Sequence, residues 1–376
     1  MNDMLFWAFA GLAAFVVIVR LFFWLLILPA WWKKGRKDAD NSNLPPLSVV
    51  IAARNEADNL EKFLPSVLQQ DYPDFQVVVV DDCSEDESRD VLSVLESRYP
   101  NLYVTWVPQG GHFRRGKKLA LSIGIKAAQH EHLVFTDADC YPASDQWLRH
   151  MASGFSEKKD IVLGMGTYKR KKSFLNALIH YDTTLIAMMY AGMAIRLKPY
   201  MGVGRNLAYK KSFWLEKGGF RGFSDAISGD DDLFINAYAK RKNTSVVFHP
   251  QAKTISLPAE SFRQWRRQKI RHLSSSKRYA GWQSGLLLAE PISRAMTPFV
   301  LLTVCLLMPV KEILISMAGL YLLLKLIQFF VLCKSLKMTN ESRSCCFYPL
   351  IDIFLQLIYI IFAIGRMRSD KKNVWK

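Results

Sequence analysis

Long apolar runs occur at both ends of the chain, and alternating apolar and amphipathic segments lie between them. Residues 4–30 form the first run, which only Arg20 interrupts. A helix of this length crosses a hydrocarbon core of about 30 Å, so the pattern predicts an N-terminal transmembrane anchor over residues 1–32. A cleaved signal peptide is the alternative, but residues 1–4 lack its basic region and no small-x-small cleavage site follows.

The second apolar region predicts three C-terminal spans, at residues 293–310, 312–333 and 346–365, within a region 286–376 that ends in a basic tail. The sequence WWKKGRK follows the first run, and its four basic residues place the next domain in the cytoplasm by the positive-inside rule. Three C-terminal spans would put the basic tail on the opposite side, against the same rule, so the number of spans stays open. The pattern predicts a multi-pass protein of the cell (inner) membrane.

A polar linker, residues 33–46, precedes a domain predicted over residues 47–258. Runs rich in Val and Ile predict buried strands at 47–54, 75–82, 102–107 and 132–137. Amphipathic helices are predicted between them at 55–70, 86–99 and 117–129. Continuous apolar runs are typical of parallel strands covered on both faces, and the strand–helix alternation predicts a doubly wound α/β sheet. Such sheets bind ligands beyond the carboxyl ends of their strands.

Charge and cysteine content narrow the class of protein. The 376 residues carry 50 Lys and Arg against 33 Asp and Glu, a formal net charge of +17. Contact with anionic membrane lipid explains this excess, so no nucleic-acid partner is predicted. The six cysteines show no metal-type or disulfide-type spacing, and reduced thiols fit a cytosol-facing domain.

Acidic groups follow three of the predicted strands. ARNEAD follows the first strand, DDCSED the second and TDADC the fourth. These carboxylates would gather at one edge of the sheet, where they repel one another unless a cation joins them. The pattern predicts a hard divalent ion at Asp137 and Asp139, with a pair of turn-forming aspartates as the alternative.

A basic amphipathic segment is predicted after this domain, over residues 259–285. Residues 259–282 hold seven Lys and Arg against one Glu, interspersed with apolar side chains. This composition is typical of a helix that lies at the membrane interface. A longer apolar helix is predicted at residues 174–195, either in the core or in contact with lipid or a lipid-linked acceptor.

Six motifs in order resemble those of the family 2 glycosyltransferases, which are nucleotide-sugar-dependent enzymes with a GT-A fold. The motifs are SVVIAARNEADNL, VVVVDDCSEDES, GKKLALSIGI, VFTDADC, GDDDLFINAYAK and QWRRQKIRH. They span about residues 47–275. The resemblance implies a membrane-anchored enzyme of bacterial type that uses Mg or Mn, with Asp137 and Asp139 as the metal ligands.

The resemblance also implies which residues bind the nucleotide-sugar donor. The loop after the first strand would contact base and ribose, either acid after the second strand would contact the base, and the lysine after Gly116 would approach the diphosphate. A solvated helix start is the alternative explanation of that lysine. The residues implied are Ala53, Arg54, Asn55, Glu56, Asp81, Asp82, Lys117, Asp137, Gln268 and Arg271.

The family's Glu-Asp-x-Asp-Leu pattern aligns with GDDDL, in which Gly229 stands where the glutamate usually does. The alignment implies Asp230 as the catalytic base and Asp232 as the second acid, with Asp231 as the alternative base. An inverting transfer needs one base near the acceptor hydroxyl, and adjacent carboxylates raise one another's proton affinity. Acids favoured by a helix N-terminus are the alternative explanation.

The acceptor side departs from the family. Chain-extending members have a tryptophan where this chain has His272, which argues against processive synthesis unless Trp265 or Trp282 substitutes. The glycines and asparagine of YMGVGRNLAYKKSFW resemble an acceptor-side loop, which implies Gly204 and Asn206 near the sugar.

These observations predict a metal-dependent, inverting transfer of a sugar from a nucleoside diphosphate donor, with UDP favoured, to a hydroxyl acceptor. The acceptor is predicted to be lipid-linked or a growing glycan, met at the cytoplasmic membrane face. The alternatives are a processive polysaccharide synthase and a non-catalytic subunit of a synthase complex. A nucleotidyltransferase would use a similar sheet, but its glycine-rich basic signature near the first strand is missing.

Overall fold

The computed structural model describes residues 2–34, 44–108, 116–223, 229–279 and 281–341, and near the C-terminus residues 348, 351–352 and 354–359. Most of the predicted linker, the loop before Gly116 and the basic C-terminal tail lie outside these residues. The third predicted C-terminal span lies only partly within them.

The strands of the described chain form two sheets. They are β1 Leu47–Ala53, β2 Phe75–Asp81, β3 Leu102–Trp106, β4 His132–Phe135, β5 Cys140–Pro142, β6 Ile161–Gly164, β7 Gly166–Tyr168, β8 Leu207–Lys210, β9 Thr244–Val247 and β10 Thr254–Ser256. The larger sheet has the order β3-β2-β1-β4-β8-β6-β9, and only β8 runs antiparallel to its neighbours. The smaller sheet has the order β5-β10-β7.

The α-helices are described in the same way, in chain order. They are α1 Asn2–Leu21, α2 Trp31–Lys34, α3 Ala57–Leu68, α4 Ser88–Arg98, α5 Lys117–Ala127, α6 Trp147–Ala152, α7 Phe174–Arg196, α8 Lys211–Glu216, α9 Asp232–Tyr238, α10 Phe262–Ser275, α11 Gly281–Leu307 and α12 Lys311–Met338. A π-helical segment, Phe22–Ile27, follows α1 directly.

Side chains of the central strands alternate between two apolar cores. On β1, Val50 and Ala52 belong to the core that contains α5, whereas Val49 and Ile51 belong to the core that contains α3. All four are buried, and burying a Val or Ile side chain stabilises the fold by about 1.5–3 kcal/mol. Helices therefore cover both faces of the sheet, and the predicted doubly wound α/β architecture is confirmed.

The predicted strands and helices between residues 47 and 137 are confirmed to within two residues at each end. The strands that follow, β5 to β10, have only three or four residues each, too few to show a period in the sequence. The apolar helix predicted at 174–195 is α7, and it is a core helix, because most of its residues are buried. The Tyr190 hydroxyl donates to the Gly164 carbonyl at 2.6 Å and so fixes α7 on the sheet.

Three helices are long and apolar enough to cross a membrane, over Met4–Lys33, Gly281–Leu307 and Lys311–Met338. The predicted break at Lys311 is present, between α11 and α12. Helix α11 begins at Gly281, so the last residues of the predicted amphipathic segment 259–285 belong to this long helix. Described residues within the third predicted span, 351–352 and 354–359, are helical.

Polar side chains join these helices to one another and to the α/β domain. Arg20 of α1 is 2 % exposed and donates to Gln328 of α12 at 3.0 Å. Glu341, just after α12, accepts from Lys253 at 2.6 Å and from Arg170 at 2.9 Å. Buried ion pairs of this kind fix relative position more than they add stability.

Gly192 marks a close approach between α7 and the N-terminal segment, because a Cβ at this position would overlap the backbone carbonyl of Ile27. We expect Gly192→Ala to lower the free energy of unfolding by about 2 kcal/mol, since backbone cannot move aside as a side chain can. Gly285→Ala is the matched control, because a Cβ there meets nothing within 4 Å. Thermal unfolding of the detergent-solubilised variants checks this, and equal midpoints for the two would contradict the packing described.

Candidate active site

The loops after β1 and β2 are joined by hydrogen bonds at one edge of the large sheet. The Asn55 N–H donates to Ser84 Oγ at 2.9 Å, and Asn55 Oδ1 accepts from the Glu85 N–H at 2.8 Å. The Glu56 N–H donates to Ser88 Oγ at 3.0 Å. Asn55 has φ of 54°, a left-handed conformation that asparagine tolerates. These contacts give the predicted donor-binding loop a defined shape.

The two acids at the end of β2 are buried. Asp81 is 1 % exposed and accepts from the Ser84 N–H at 3.1 Å and from Arg89 Nε at 3.2 Å. Asp82 has no exposed surface, and its N–H donates to the carbonyl of Ala53 at 2.8 Å. Both acids therefore sit where the first two strands end, and Asp81 has partners within the protein.

The acids that follow β4 affect the pKa of Glu56. Burial raises the pKa of Glu56 to about 6, although Asn59 donates a hydrogen bond to it, and the negative charges of Asp139 and Asp137 add to the effect. Carboxylates that raise one another's pKa in this way favour a bound cation. Half-buried Arg54 precedes this group on the same loop.

Lys117, at the start of α5, joins two carboxylates that are far apart in the sequence. Its Nζ lies 2.7 Å from Asp137 Oδ1 and 3.3 Å from Asp230 Oδ2. Burial opposes the charged form of Lys117, but the negative charges of Asp137 and Asp230 outweigh burial and raise its pKa. Burial likewise opposes the ionised form of Asp137, and the ammonium of Lys117 outweighs it and lowers the pKa of Asp137. These three groups form the charged centre of the site.

A small pocket surrounds the charged centre. Its lining residues are Lys117, Leu121, Phe135, Thr136, Asp137, Gly204, Leu207, Tyr209, Asp230 and Asp231. Thr136 is 3 % exposed, and its hydroxyl has no hydrogen-bond partner among the described residues. A Cβ on Gly204 would lie 3.3 Å from the Nζ of Lys117, so the glycine keeps this side of the pocket open.

The three consecutive acids have different partners. Asp231 is the N-cap of α9: one carboxylate oxygen accepts from the Asp232 N–H at 2.7 Å and the other from the Gly204 N–H at 2.7 Å. Burial, with the charges of Asp230 and Asp232, raises the pKa of Asp231 to about 7. The capping explanation of the acids therefore applies to Asp231, whereas Asp230 faces Lys117.

Asp232 is held by the chain that leads into α11. It is 6 % exposed, and its Oδ2 accepts from the hydroxyls of Ser275 and Tyr279, the latter at 2.7 Å. Burial raises the pKa of Asp232, and the two hydroxyl donors oppose that rise. Asp232 thus links the acid segment to α10 and α11 rather than lining the pocket.

Gly229 has φ of 106°, and a Cβ there would overlap the side chain of Leu233. A glutamate at this position would be strained both by the backbone and by the contact. The departure from the family's pattern therefore has a local structural reason.

Asp139 lies next to Asp137 and a buried thiol. One ligand atom from each of Asp137, Asp139 and Cys140 lies within 4.8 Å of the others. Burial and the charge of Asp137 raise the pKa of Asp139, and burial with the charge of Asp139 raises the pKa of the Cys140 thiol. A protonated thiol does not suit a hard ion, whereas two carboxylates do. The donor set at Asp137 and Asp139 therefore fits Mg or Mn.

Helix α10 places the predicted Gln–Arg pair towards the site. Gln268 Nε2 donates to the Tyr168 hydroxyl at 3.0 Å. Arg271 is close enough for its charge to lower the pKa of Asp137, together with the larger effect of Lys117. The helix has a buried face with Trp265 and an exposed face with Phe262, Arg263 and Arg267, which agrees with the predicted amphipathic pattern.

Only one of the three residues predicted on the acceptor side lies at the pocket, and that is Gly204. Asn206 is fully buried, accepts from Trp147 Nε1 at 3.0 Å and donates to the carbonyls of Met165 and Ala252. Trp265 is 1 % exposed and packs in the core. The structure does not bring Asn206 or Trp265 to the pocket.

One arginine near the site was not predicted. Arg205 lies between Gly204 and Asn206, and its guanidinium stacks on the Tyr168 ring at 4.3 Å from the centroid. Its charge opposes the rise in the pKa of Asp139. A glycine-flanked arginine in GVGRN is a weak signal, because the sequence does not show which way the side chain turns.

The domain that carries this site is similar to known glycosyltransferases. The family model described as "Glycosyltransferase like family 2" matches residues 45–275. Glycosyltransferase AglE of Haloferax volcanii is 34% identical over 117 residues, which are 31% of this chain and 37% of AglE. The putative teichuronic acid biosynthesis glycosyltransferase TuaG of Bacillus subtilis is 30% identical over 103 residues, 27% of this chain and 37% of TuaG. The chain thus spans 37% of the length of each of these two relatives.

A solved structure has the same fold along the chain. The mannosyltransferase PcManGT from Pyrobaculum calidifontis, in complex with GDP-Man and Mn2+, superposes with a TM-score of 0.60 at 20% identity. The superposition covers 99% of this chain and 100% of that one. The predicted GT-A fold is confirmed.

Proposed function

The chain belongs to glycosyltransferase like family 2, and from that premise we propose that it is an inverting, metal-dependent glycosyltransferase. It moves a sugar from a nucleoside diphosphate donor to a hydroxyl of a lipid-linked or glycan acceptor. The reaction takes place at the cytoplasmic face of the membrane.

The observation that supports this proposal best is the convergence on Lys117. Its ammonium lies 2.7 Å from Asp137 and 3.3 Å from Asp230, and those residues come from three separate motifs of the chain. In the proposed mechanism this cation lies between the acid that serves the donor, after β4, and the acid that serves the acceptor, before α9. A purely structural ion pair would need only one of the two carboxylates.

The donor diphosphate binds on the basic side of the site. Lys117 lines the pocket, and Arg271 is close enough for its charge to act on Asp137. An incoming diphosphate competes with Asp137 and Asp230 for the ammonium of Lys117. Charge-assisted hydrogen bonds of this kind are about twice as strong as neutral ones. The base and ribose lie on the loops after β1 and β2, against Ala53–Glu56 and either Asp81 or Asp82.

The carboxylates of Asp137 and Asp139 would hold the metal. When bound, a divalent ion supplies positive charge that stabilises the departing diphosphate. Lys117 and Arg271 add to that charge from the protein side. Glu56 remains close enough for its charge to favour the same cation.

Asp230 takes the proton of the acceptor hydroxyl. Its Oδ2 lies 3.3 Å from the ammonium of Lys117. When Lys117 turns to the diphosphate, the carboxylate of Asp230 is released to accept a hydrogen bond from the acceptor hydroxyl and to take its proton. The acceptor oxygen then bonds to the anomeric carbon as the bond to the diphosphate breaks, and the configuration inverts.

The apolar helices support a lipid-linked acceptor. The α/β domain is attached to α1, α11 and α12, which are apolar enough to span a bilayer, and the exposed face of α10 is basic and aromatic. Such a face binds anionic lipid, which keeps the pocket close to the membrane surface. A lipid-linked hydroxyl is therefore the acceptor that the site meets most often.

The function is tested by incubating native membranes with labelled nucleotide sugars, first with Mn or Mg and then with chelator. We expect label from one UDP-sugar or GDP-sugar in the lipid-soluble fraction, lost with chelator and restored by metal. Label in a polymer would favour the processive synthase, and release of pyrophosphate would favour a nucleotidyltransferase. No transfer from any donor, in membranes that contain folded protein, would contradict the proposal.

A further inference from the structure

Asp139 is the end of a chain of hydrogen bonds that begins at a half-buried arginine, Arg205. Cys140 Sγ donates to Asp139 Oδ1 at 3.2 Å, and the same sulfur lies 2.9 Å from Ser256 Oγ. Arg205 Nη1 donates to that serine oxygen at 3.3 Å. The path runs through two strands of the smaller sheet, since Cys140 begins β5 and Ser256 ends β10.

The direction of each hydrogen bond follows from the number of hydrogens. A thiol has one hydrogen, and in Cys140 it points to Asp139, so the sulfur must accept from the Ser256 hydroxyl. The Ser256 oxygen in turn accepts from Arg205, which has only donors. Every hydrogen is therefore donated towards the carboxylate, from a cation at one end to an anion at the other.

The position of Arg205 is itself fixed on three sides. Its Nη2 donates to the Gly166 carbonyl at 3.3 Å, its guanidinium stacks on Tyr168, and a Cβ on Gly166 would overlap its side chain. The Tyr168 hydroxyl is held in turn by Gln268. A side chain this constrained, with its charge next to two carboxylates, does more than fill space.

We propose that Arg205 is a positioning residue for the metal-binding acid, acting through Ser256 and Cys140. This chain of hydrogen bonds, which we call the relay, fixes one oxygen of Asp139 and leaves the other free for the cation. Lys117 does the same for Asp137 by direct contact. This inference rests on the proposed metal site, and it adds Arg205 and Ser256, which lie outside the six motifs, together with a role for Cys140.

The test measures binding of Mn2+ alone to the full-length protein in detergent, from the electron paramagnetic resonance signal of the free ion. We expect Cys140→Ala to weaken Mn2+ binding about tenfold, in the range seen when groups that orient metal ligands are removed. Cys140→Ser keeps a donor and an acceptor of similar size and should restore the affinity to within about threefold. Ser256→Ala should match Cys140→Ala, and the double variant should be no weaker than either, because both changes break one path.

Arg205→Met tests the source of the relay, with Lys158→Met as control, since Lys158 is an exposed cation on another part of the surface. Only Arg205→Met should weaken Mn2+ binding. Parental affinity in Cys140→Ala, or equal weakening in Cys140→Ser and Cys140→Ala, would overturn the relay while leaving the metal site standing. Absence of Mn2+ binding in the parent would overturn both, and unfolding midpoints of all variants separate these outcomes from misfolding.

Discussion

We expect Asp230→Asn to lower kcat for sugar transfer by about 1,000-fold, while the affinity for the donor stays within a few-fold of the parent value. An amide cannot take the acceptor proton, but it keeps the size of the carboxylate and can remain beside Lys117. In the proposed mechanism, donor binding depends on Lys117, Arg271, Asp137 and Asp139, none of which is changed. Turnover with the donor identified by the membrane screen, and donor titration by calorimetry, give the two numbers.

Asp231→Asn is the matched comparison, because it changes the adjacent acid. Asp231 uses its two oxygens to accept from backbone N–H groups, and an asparagine keeps one acceptor there. We expect a loss of about 1 kcal/mol in unfolding free energy, typical of a weakened helix cap, with a much smaller effect on kcat. The reverse pattern, with Asp231→Asn inactive and Asp230→Asn active, would assign the base to Asp231.

The second large effect is expected for Lys117→Met, which should lower kcat/KM by about 100-fold. The change removes the ammonium that pairs with Asp137 and Asp230 and that meets the diphosphate in the proposed mechanism. Since the ammonium acts on both donor binding and the leaving group, KM should rise and kcat should fall. Initial rates over a range of donor concentrations separate the two.

Lys118→Met is the control for that change. Lys118 follows Lys117 on α5 but turns away from the pocket, and its Nζ donates to the carbonyl of Phe223 at 2.7 Å. The charge lost is the same, so a general electrostatic effect on a basic protein would appear in both variants. Equal losses of kcat/KM in the two variants would contradict the role proposed for Lys117.

The first part of the domain could be predicted because its strands and helices are marked by local runs of apolar residues. Runs such as VVVV in β2 are buried on both faces, and acids at the ends of parallel strands must meet at one edge. The sequence therefore indicated correctly that Asp137 and Lys117 lie at this edge of the sheet. The same reasoning identified α7 as apolar but did not decide between core and lipid, because burial depends on what packs against it.

The second part could not be predicted in the same detail. β6 and β8 have four residues each, and their pairing depends on contacts between distant segments. Residue type also does not reveal side-chain direction: Asn206 turns into the core, whereas its neighbour Arg205 turns towards Tyr168 and Ser256. The relay through Cys140 and Ser256 joins residues 116 positions apart, and nothing local marks it.

The bond from Asp232 to Ser275 and Tyr279 limits where the chain can be cut. A water-soluble fragment that stopped at residue 258 would contain every acid of the pocket yet lose both hydroxyls that hold Asp232. The buried carboxylate of Asp232, two positions after Asp230 in the sequence, would then be exposed to solvent. Crystals or rates obtained from such a fragment would describe an altered acid segment, and an excised catalytic unit has to extend through Tyr279.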